Sequence, residues 1–498
     1  MGANIRFHEW WIERGLRARA TRGIRPPAVD PLQETLNPLP EDGRSVKDRR
    51  QLVPALGLRE YWYPALPSHK VPTRKAIYWK MLGEELAFFR KADGSVAAVS
   101  DICPHRGASL SRGRQFYPGT LSCPYHGATF DAEGTCKAFI TEGPDSKMVG
   151  DLKVRAYPVQ EHKGWVFVWM GREAPAPIEH DVPPEFFEPD TTVVLTTYTY
   201  WRSSWILAIE NQDDPHNALY AHRNSLMQLM SPRFRARTPT GPRAKLIEDR
   251  ALVILNMNQK YYADENGEIP YQMFYPGVNG VWPLSKWRKR VWALFAPYYK
   301  HIVWRPSRLG RKFEVEAEEW GKGRGGSWHL PSIVRRNFNT YMFSRWAVPV
   351  DAELSRIVYM HARRTRFAAT RVALRAWWRL YYNWWNYYNF SGADDKVASP
   401  SRYWTPESLS ATDSHLVLLR RLITERSRDA KLRFERGQKP EKADHVTTPA
   451  ERDGVGRQTG IGMDPTEDRL DDLPEFDGGR DSAVPIFIAD RNNRDRGR

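Results

Sequence analysis

From about Gly57 onward the chain is a series of short apolar runs broken by turn residues. Ala76–Met81, Glu85–Arg90 and Ser95–Ser100 are apolar and compact, with Asp93-Gly94 between the last two, so they predict strands joined by tight turns. Lys163 to Met170 reads as another strand, and a Pro-rich linker follows from Ala174 to Pro184. Thr191–Tyr200 is again β-like. A helical region containing Glu210 and His222 comes next, then strand patterns at Ala251–Asn258, Lys312–Glu318 and Arg356–Arg363. Residues 366–390 predict a long aromatic helix and Pro406–Arg426 a terminal helix. Strands and helices are segregated rather than alternating, which points to an α+β fold. The expected organisation is a basic N-terminal extension (1–56), an all-β module (57–172), a mixed module (185–430) and a polar, disordered tail (431–498).

Composition narrows the class. A chain of 498 residues has room for two or three domains of roughly 100–200 residues each. Three cysteines exclude a scaffold built on disulfides. No run of about 18 apolar residues is present, arginines interrupt the N-terminal apolar stretches, and Arg6 removes a myristoylation signal, so the expected location is the cytoplasm. The net charge is +16, although Glu441 to Arg498 holds 14 acidic and 9 basic residues. No helix-turn-helix, zinc-finger or RNP pattern accompanies the basic body, so nucleic acid is not the expected partner. A basic surface also suits an acidic electron carrier or a membrane face. The aromatic run Trp377 to Tyr388 and the basic, aromatic stretch 281–306 keep peripheral membrane contact open beside plain packing.

Two constellations carry chemistry. The first is Cys103-x-His105, then 17 residues, then Cys123-x-x-His126. Thiolates and imidazoles at such spacing make a four-ligand soft-metal site. Structural Cys2His2 zinc sites usually pair cysteine with cysteine and histidine with histidine along the chain, whereas the order here alternates. A Rieske [2Fe–2S] cluster needs two thiolates on one iron and two imidazoles on the other, which two loops giving one of each can supply.

The segments CPHRGASLSRG and CPYHGATFDAEG closely resemble the Rieske domain of ring-hydroxylating oxygenases. The resemblance implies Cys103 and Cys123 on one iron and His105 and His126 on the other. Ala128 stands where many of these oxygenases carry Trp, and Cys136 lies outside the motif as a packed thiol.

The second constellation runs from Glu210 to His222. Two histidines with nearby carboxylates are the protein's half of a 2-His-1-carboxylate site, which leaves positions open on Fe(II). His216 and His222 are six residues apart, about 240° on an ideal helix, so sharing one metal requires a broken or bulged segment. Asp213-x-x-His216-x5-His222 is similar to the iron-binding helix of toluene- and biphenyl-type dioxygenases. An alternative match to other branches would place Asn217 at the first ligand position. In the matched families Asp213 would link His216 to His126 of a neighbouring subunit. Asp394-Asp395 resembles the family's acidic pair, with Asp395 the implied third ligand and Asp394 its competitor. The likeness spans about residues 57–430.

What the resemblance implies is a terminal oxygenase component: a Rieske domain followed by a helix-grip catalytic domain, carrying a [2Fe–2S] cluster and mononuclear non-heme Fe(II). Its reaction would be O2-dependent hydroxylation, dihydroxylation or oxidative demethylation of an apolar, aromatic or polycyclic substrate. One cysteine remains beyond the cluster, too few for a ferredoxin cluster, and no GxGxxG stands at a strand–helix junction. Electrons would therefore come from a separate ferredoxin or flavin reductase. The implied assembly is a homotrimer, or one including a small β subunit. The alternative reading is a Rieske electron carrier without the second iron.

Overall fold

The computed structural model describes residues 52–211, 241–247, 250–258, 326–338, 341–383, 391–401 and 413–435, with a few isolated positions besides. The N-terminal part is all β: β1 (Trp62–Pro67), β2 (Ile77–Met81), β3 (Glu84–Arg90), β4 (Val96–Ser100), β5 (Leu121–Ser122), β6 (Ala128–Phe130), β7 (Cys136–Phe139), β8 (Ala156–Tyr157), β9 (Val159–His162) and β10 (Trp165–Trp169). They form three antiparallel sheets ordered β2-β3-β4-β8, β5-β6-β7 and β1-β10-β9.

The period-2 alternation of β3 and β4 divides two cores. Leu86, Phe88, Val96 and Ala98 join the core that includes β1 and β10, while Ala87, Phe89, Ala97 and Val99 turn to a second core. That second core includes Cys103, Leu110, Leu121, Cys123 and Phe130.

The second part is one seven-stranded antiparallel sheet. Its strands are β11 (Thr192–Trp201), β12 (Gly241–Ile247), β13 (Ala251–Asn258), β14 (Gly326–His329), β15 (Ile333–Asn337), β16 (Met342–Asp351) and β17 (Leu354–Arg364), in the order β11-β17-β16-β15-β14-β13-β12. The described helices are α1 (Trp205–Glu210), α2 (Ala368–Trp377), α3 (Gly392–Ala398), α4 (Ser414–Arg421) and α5 (Arg428–Glu435). Strands and helices are segregated, as an α+β fold requires. None of the described helices is long and apolar enough to cross a membrane.

β17 is buried on both faces, and its alternation shows what covers each. One face meets the N-terminal module. The Arg356 guanidinium lies 3.9 Å over the Trp79 ring and donates to the Lys80 carbonyl at 3.1 Å, while Trp346 packs on Phe186 at 6.1 Å. On the same face Arg335 makes a two-pronged pair with Glu185 at 2.9 and 3.0 Å, both side chains 3% exposed. Desolvating two charges offsets much of their attraction, so this pair orients the short helix Pro184–Phe186 against the sheet more than it stabilises it. The other face is covered by helices. Ser355 donates to the Ser203 carbonyl at 2.8 Å, Tyr359 bonds Ser391, and the His361 ring meets Trp378 and Tyr382 at 4.6 and 5.0 Å.

Several expectations from sequence shift in detail. The 366–390 helix is α-helical over Ala368–Trp377 and then widens to a π-helix over Trp378–Tyr382. The terminal helix likewise turns π at Leu422–Arg426. Asp394 and Asp395 lie in the first turn of α3. Lys312–Glu318 lies outside the described residues, as do 1–12 and 436–498.

Candidate metal centres

Two loops at one end of the second core present the same backbone device. In the first, the Cys103 amide donates to the Ala108 carbonyl at 2.8 Å and the Gly107 amide to the Cys103 carbonyl at 2.8 Å. In the second, the Cys123 amide donates to Ala128 at 2.7 Å and the Gly127 amide to Cys123 at 3.1 Å. Each loop closes on a glycine with positive φ, +72° at Gly107 and +70° at Gly127, a conformation that side-chain-bearing residues resist. The hexapeptides CPHRGA and CPYHGA are therefore equivalent turns, and only the histidine moves by one place. Asp101 anchors the first loop: its buried carboxylate accepts the Ser111 amide at 2.5 Å and its carbonyl the Leu110 amide at 2.8 Å.

The donors separate into two pairs. Cys103 and Cys123 are 2% and 4% exposed, lie in the same buried core, and each thiol perturbs the other's titration. Their mutual interaction pushes the Cys103 thiol up and, against burial, brings Cys123 down to about 6. The His105 and His126 rings meet edge to face at 4.8 Å and are only half-buried. Burial, then His105 and Arg106, hold His126 below its usual range, which favours the neutral ligand form. Its Nδ1 is buried and has no hydrogen-bond partner.

Among the described residues no group of three or more Cys, His, Asp or Glu side chains converges on a single ion. Donors arranged two and two, thiols inside and imidazoles outside, fit a two-iron cluster better than one zinc. The orphaned Nδ1 fits a bond to the outer iron. Tyr125 stacks on His126 at 3.8 Å and Phe139 meets His105 at 5.2 Å. Ile140, 47% exposed, lies against Gly127, so an apolar rim surrounds the imidazole edge. Cys136 is buried outside the site and donates to the Ala138 carbonyl, as a packed thiol should.

Of the second constellation, Asp213, Asp214, His216, Asn217 and His222 lie outside the described residues. What leads into that segment is firmly held. At the C-terminal end of α1, the Ala208 carbonyl accepts Arg345 and the Ile209 carbonyl accepts the Trp328 indole at 2.9 Å, satisfying groups a helix end leaves open. Glu210 is 6% exposed and receives Arg420 of α4 at 2.7 and 3.0 Å.

The acidic pair divides its duties. Asp394 is 2% exposed and stands 3.8 Å from the Arg345 guanidinium, itself 1% exposed. Asp395 is half-buried and accepts the Ser399 hydroxyl at 2.6 Å. Arg345, Tyr359 and Arg420 carry no motif, and sequence reasoning missed them. Only their burial and partners reveal them. His361 was missed for the same reason: it is 2% exposed, ringed by Tyr341, Phe343, Trp378 and Tyr382, and neither ring nitrogen has a partner.

Comparison with known proteins agrees with these two parts. Residues 61–158 match the Rieske [2Fe-2S] domain, and residues 169–232 match the domain described as homotrimeric ring hydroxylase. The terminal oxygenase component of carbazole 1,9a-dioxygenase from Metapseudomonas resinovorans is 35% identical over 173 residues, 34% of this chain and 44% of that protein. The oxygenase subunit of 3-chlorobenzoate-3,4-dioxygenase from Comamonas testosteroni is 34% identical over 189 residues, 36% of this chain and 43% of that protein. The oxygenase component of dicamba O-demethylase from Stenotrophomonas maltophilia is 34% identical over 171 residues, covering 33% and 48%. The chain thus spans less than half the length of these curated relatives. Among solved structures, the terminal oxygenase of carbazole 1,9a-dioxygenase from Nocardioides aromaticivorans has the same fold, with TM-score 0.56, 23% identity, and coverage of 78% of this chain and 100% of that one. The reduced oxygenase–ferredoxin complex of carbazole 1,9a-dioxygenase gives TM-score 0.58 at 22% identity, covering 79% and 95%. Loop geometry, domain matches and fold converge: the chain carries a Rieske [2Fe–2S] domain, the segment after it matches a ring-hydroxylase domain, and the three relatives named above are oxygenase components.

Proposed function

We propose that this chain is a terminal oxygenase component that uses O2 and electrons from a separate protein to hydroxylate, dihydroxylate or oxidatively demethylate an apolar aromatic or polycyclic substrate. The observation that carries the reading is the two-and-two arrangement of Cys103/Cys123 and His105/His126 at the head of a chain whose next segment matches a ring hydroxylase. Cys103 and Cys123 would hold one iron of the cluster, His105 and His126 the other, and His216, His222 and Asp395 a mononuclear iron. When bound, the cluster supplies single-electron transfer and the mononuclear iron supplies O2 activation.

The chain's own residues do the rest. Arg345 neutralises Asp394, which leaves Asp395 as the carboxylate of the pair suited to a metal. Arg345, Trp328 and Arg420 together fix the end of α1 and so the start of the His216–His222 segment. Asp213 would accept the second N–H of His216 and join it to His126 of a neighbouring copy, so a homotrimer is the proposed assembly. The half-buried imidazole edge with its Tyr125 and Ile140 rim is where a ferredoxin or flavoprotein would approach. The carbazole dioxygenase structures that share this fold include a complex with ferredoxin. The domain division proposed is 57–172 for the cluster and 185–430 for catalysis. A cytoplasmic location, with or without membrane contact, is part of the same reading.

Single-turnover chemistry under 18O2 tests it. Dithionite-reduced protein is offered a panel of polycyclic arenes and methoxyarenes, and products are read by mass. Labelled product that Asp395→Ala abolishes, with the cluster absorbance unchanged, supports the reading. No labelled product from any arene, and a His222→Ala variant that reduces and reoxidises like the parent, would leave only the electron carrier.

A further inference from the structure

The helix α2 has two unlike faces. Its inner side packs on the sheet: Leu374, Trp378 and Tyr382, each four residues from the next, join Val193 and Leu195 of β11 in a small core of their own. Residues at that spacing share one side of a helix, so the opposite side points outward. On that side Ala369, Val372, Ala373 and Ala376 are exposed, and Leu380 follows in the π-helical turn. Val372 is 64% exposed, Leu380 81% and Phe367, at the N-cap, 72%. Leu380 is the most exposed large apolar side chain among the described residues. Exposed apolar residues scattered singly are ordinary, whereas several on one element, joined by exposed alanines, make a patch with a use.

Charge marks the same strip. Arg375 and Arg379 are exposed beside Ala376 and Leu380, and Arg366 is exposed beside Phe367. Among the described residues, none of these three guanidinium groups has a carboxylate or other hydrogen-bonding partner. The sequence offers no counter-charge either: residues 354–393 hold seven arginines and no Asp or Glu. Just before β11, whose first residues pair with the end of β17, Glu188 is engaged by Arg364 and Asp190 by Lys163. The strip is therefore apolar along its middle and uniformly cationic at its margins.

We propose that this outer face of α2 seats the protein on an anionic lipid surface. A helix of this kind lies in the plane of the membrane: Phe367, Val372 and Leu380 enter the headgroup–acyl boundary, and Arg366, Arg375 and Arg379 sit on lipid phosphates. The contact is peripheral, since none of the described helices is long and apolar enough to cross a membrane. A second copy of the chain is the poorer occupant. At ~1.5 Å per residue the strip is about 20 Å long and about 10 Å wide, roughly 200 Å2 against the ~800 Å2 per partner of a stable interface. Two copies face to face would also set arginine against arginine. The proposal stands whether or not the chain is an oxygenase, because it uses only the exposed face.

The experiment is co-sedimentation of the full chain with vesicles of phosphatidylcholine, with and without phosphatidylglycerol. The expected result is binding to the anionic vesicles that weakens as NaCl is raised, with little binding to phosphatidylcholine alone. Arg375→Gln and Arg379→Gln should each weaken that binding by about fivefold, the loss of one cation at the surface. Leu380→Ser should weaken it by about tenfold through lost apolar burial. All three positions are exposed, so the variants should fold like the parent. Arg112→Gln, exposed in the N-terminal module, is the control for general surface charge and should bind like the parent. Equal binding to both kinds of vesicle, or none to either, overturns the proposal. Binding that survives all three α2 variants overturns it too, since another part of the basic chain then makes the contact. A parent oligomer that Leu380→Ser dissociates in light scattering would give the face to a second copy instead.

Discussion

The two cysteine–histidine loops and the seven-stranded sheet hold their side chains in place by different means. In the loops four donors come from two hexapeptides, and each turn is closed by two backbone hydrogen bonds and a positive-φ glycine. Little of the rest of the chain is needed to state that geometry. In the sheet, the carboxylate candidate on α3 and the segment after α1 are nearly 180 positions apart in sequence, and buried arginines bring their surroundings together. Local devices leave a motif, whereas tertiary devices leave only charges in unexpected places.

If the loops are a local device, removing one donor should abolish the cluster and leave the sheet alone. Cys123→Ser is expected to lose the visible absorbance and the reduced-state EPR signal completely, with far-UV circular dichroism retained. A variant that unfolds outright would show that the loops are not separable from the sheet.

The next largest effect tests the tertiary device. Arg345→Met leaves Asp394 buried without its cation and should cost about 3–5 kcal/mol in urea denaturation. Adding Asp394→Asn should recover much of that loss, because the uncompensated charge is then gone. A single variant as stable as the parent would mean that Arg345 does not hold α3.

The two equivalent turns can be set against each other. A Cβ at Gly127 would sit 2.7 Å from the Ile140 Cβ, while one at Gly107 would meet nothing within 4 Å. Gly107→Ala should cost only the left-handed backbone penalty of about 1–2 kcal/mol, and Gly127→Ala more. Melting curves of the two variants decide the order. Equal costs would contradict the packing role of Ile140.

The smallest effect is electrostatic. Burial would raise the Glu188 carboxyl, but the Arg364 fork and the Thr192 hydroxyl overcome it and hold it below its usual range. A lowered folded value means a contribution present above the unfolded pKa and lost as pH falls through the folded one. Glu188→Gln should therefore lower stability by less than about 1 kcal/mol at neutral pH, and the difference should vanish in acid. A difference that grows on acidification would reverse the sign and exclude the pairing.

Legibility in the sequence follows the same division. β3, β4, β10, β11, β13 and β17 were readable because their apolar runs are bounded by turn residues. β15 and β16 were not, because arginines occupy inward positions there: Arg335 reaches Glu185, and Arg345 reaches Asp394 and the end of α1. A charge in a strand reads as an outward position unless its buried partner is known. The aromatic helix was readable, but its π-helical turn at Trp378 was not, since periodicity near 3.6 does not report one extra residue. The spacing of Cys103, His105, Cys123 and His126 marked two donor loops, although the equivalence of their turns needed the backbone. For Asp394 and Asp395 the sequence offered a pair, and burial separates them.

The most direct test is metal content. Anaerobic iron and acid-labile sulfide per chain should be measured beside the EPR spectrum of the dithionite-reduced protein. The account expects about three irons and two sulfides with a Rieske signal, and one iron fewer in His222→Ala with the signal intact. Two irons and two sulfides in the parent, with no further uptake from added Fe(II), would contradict the catalytic half of the account.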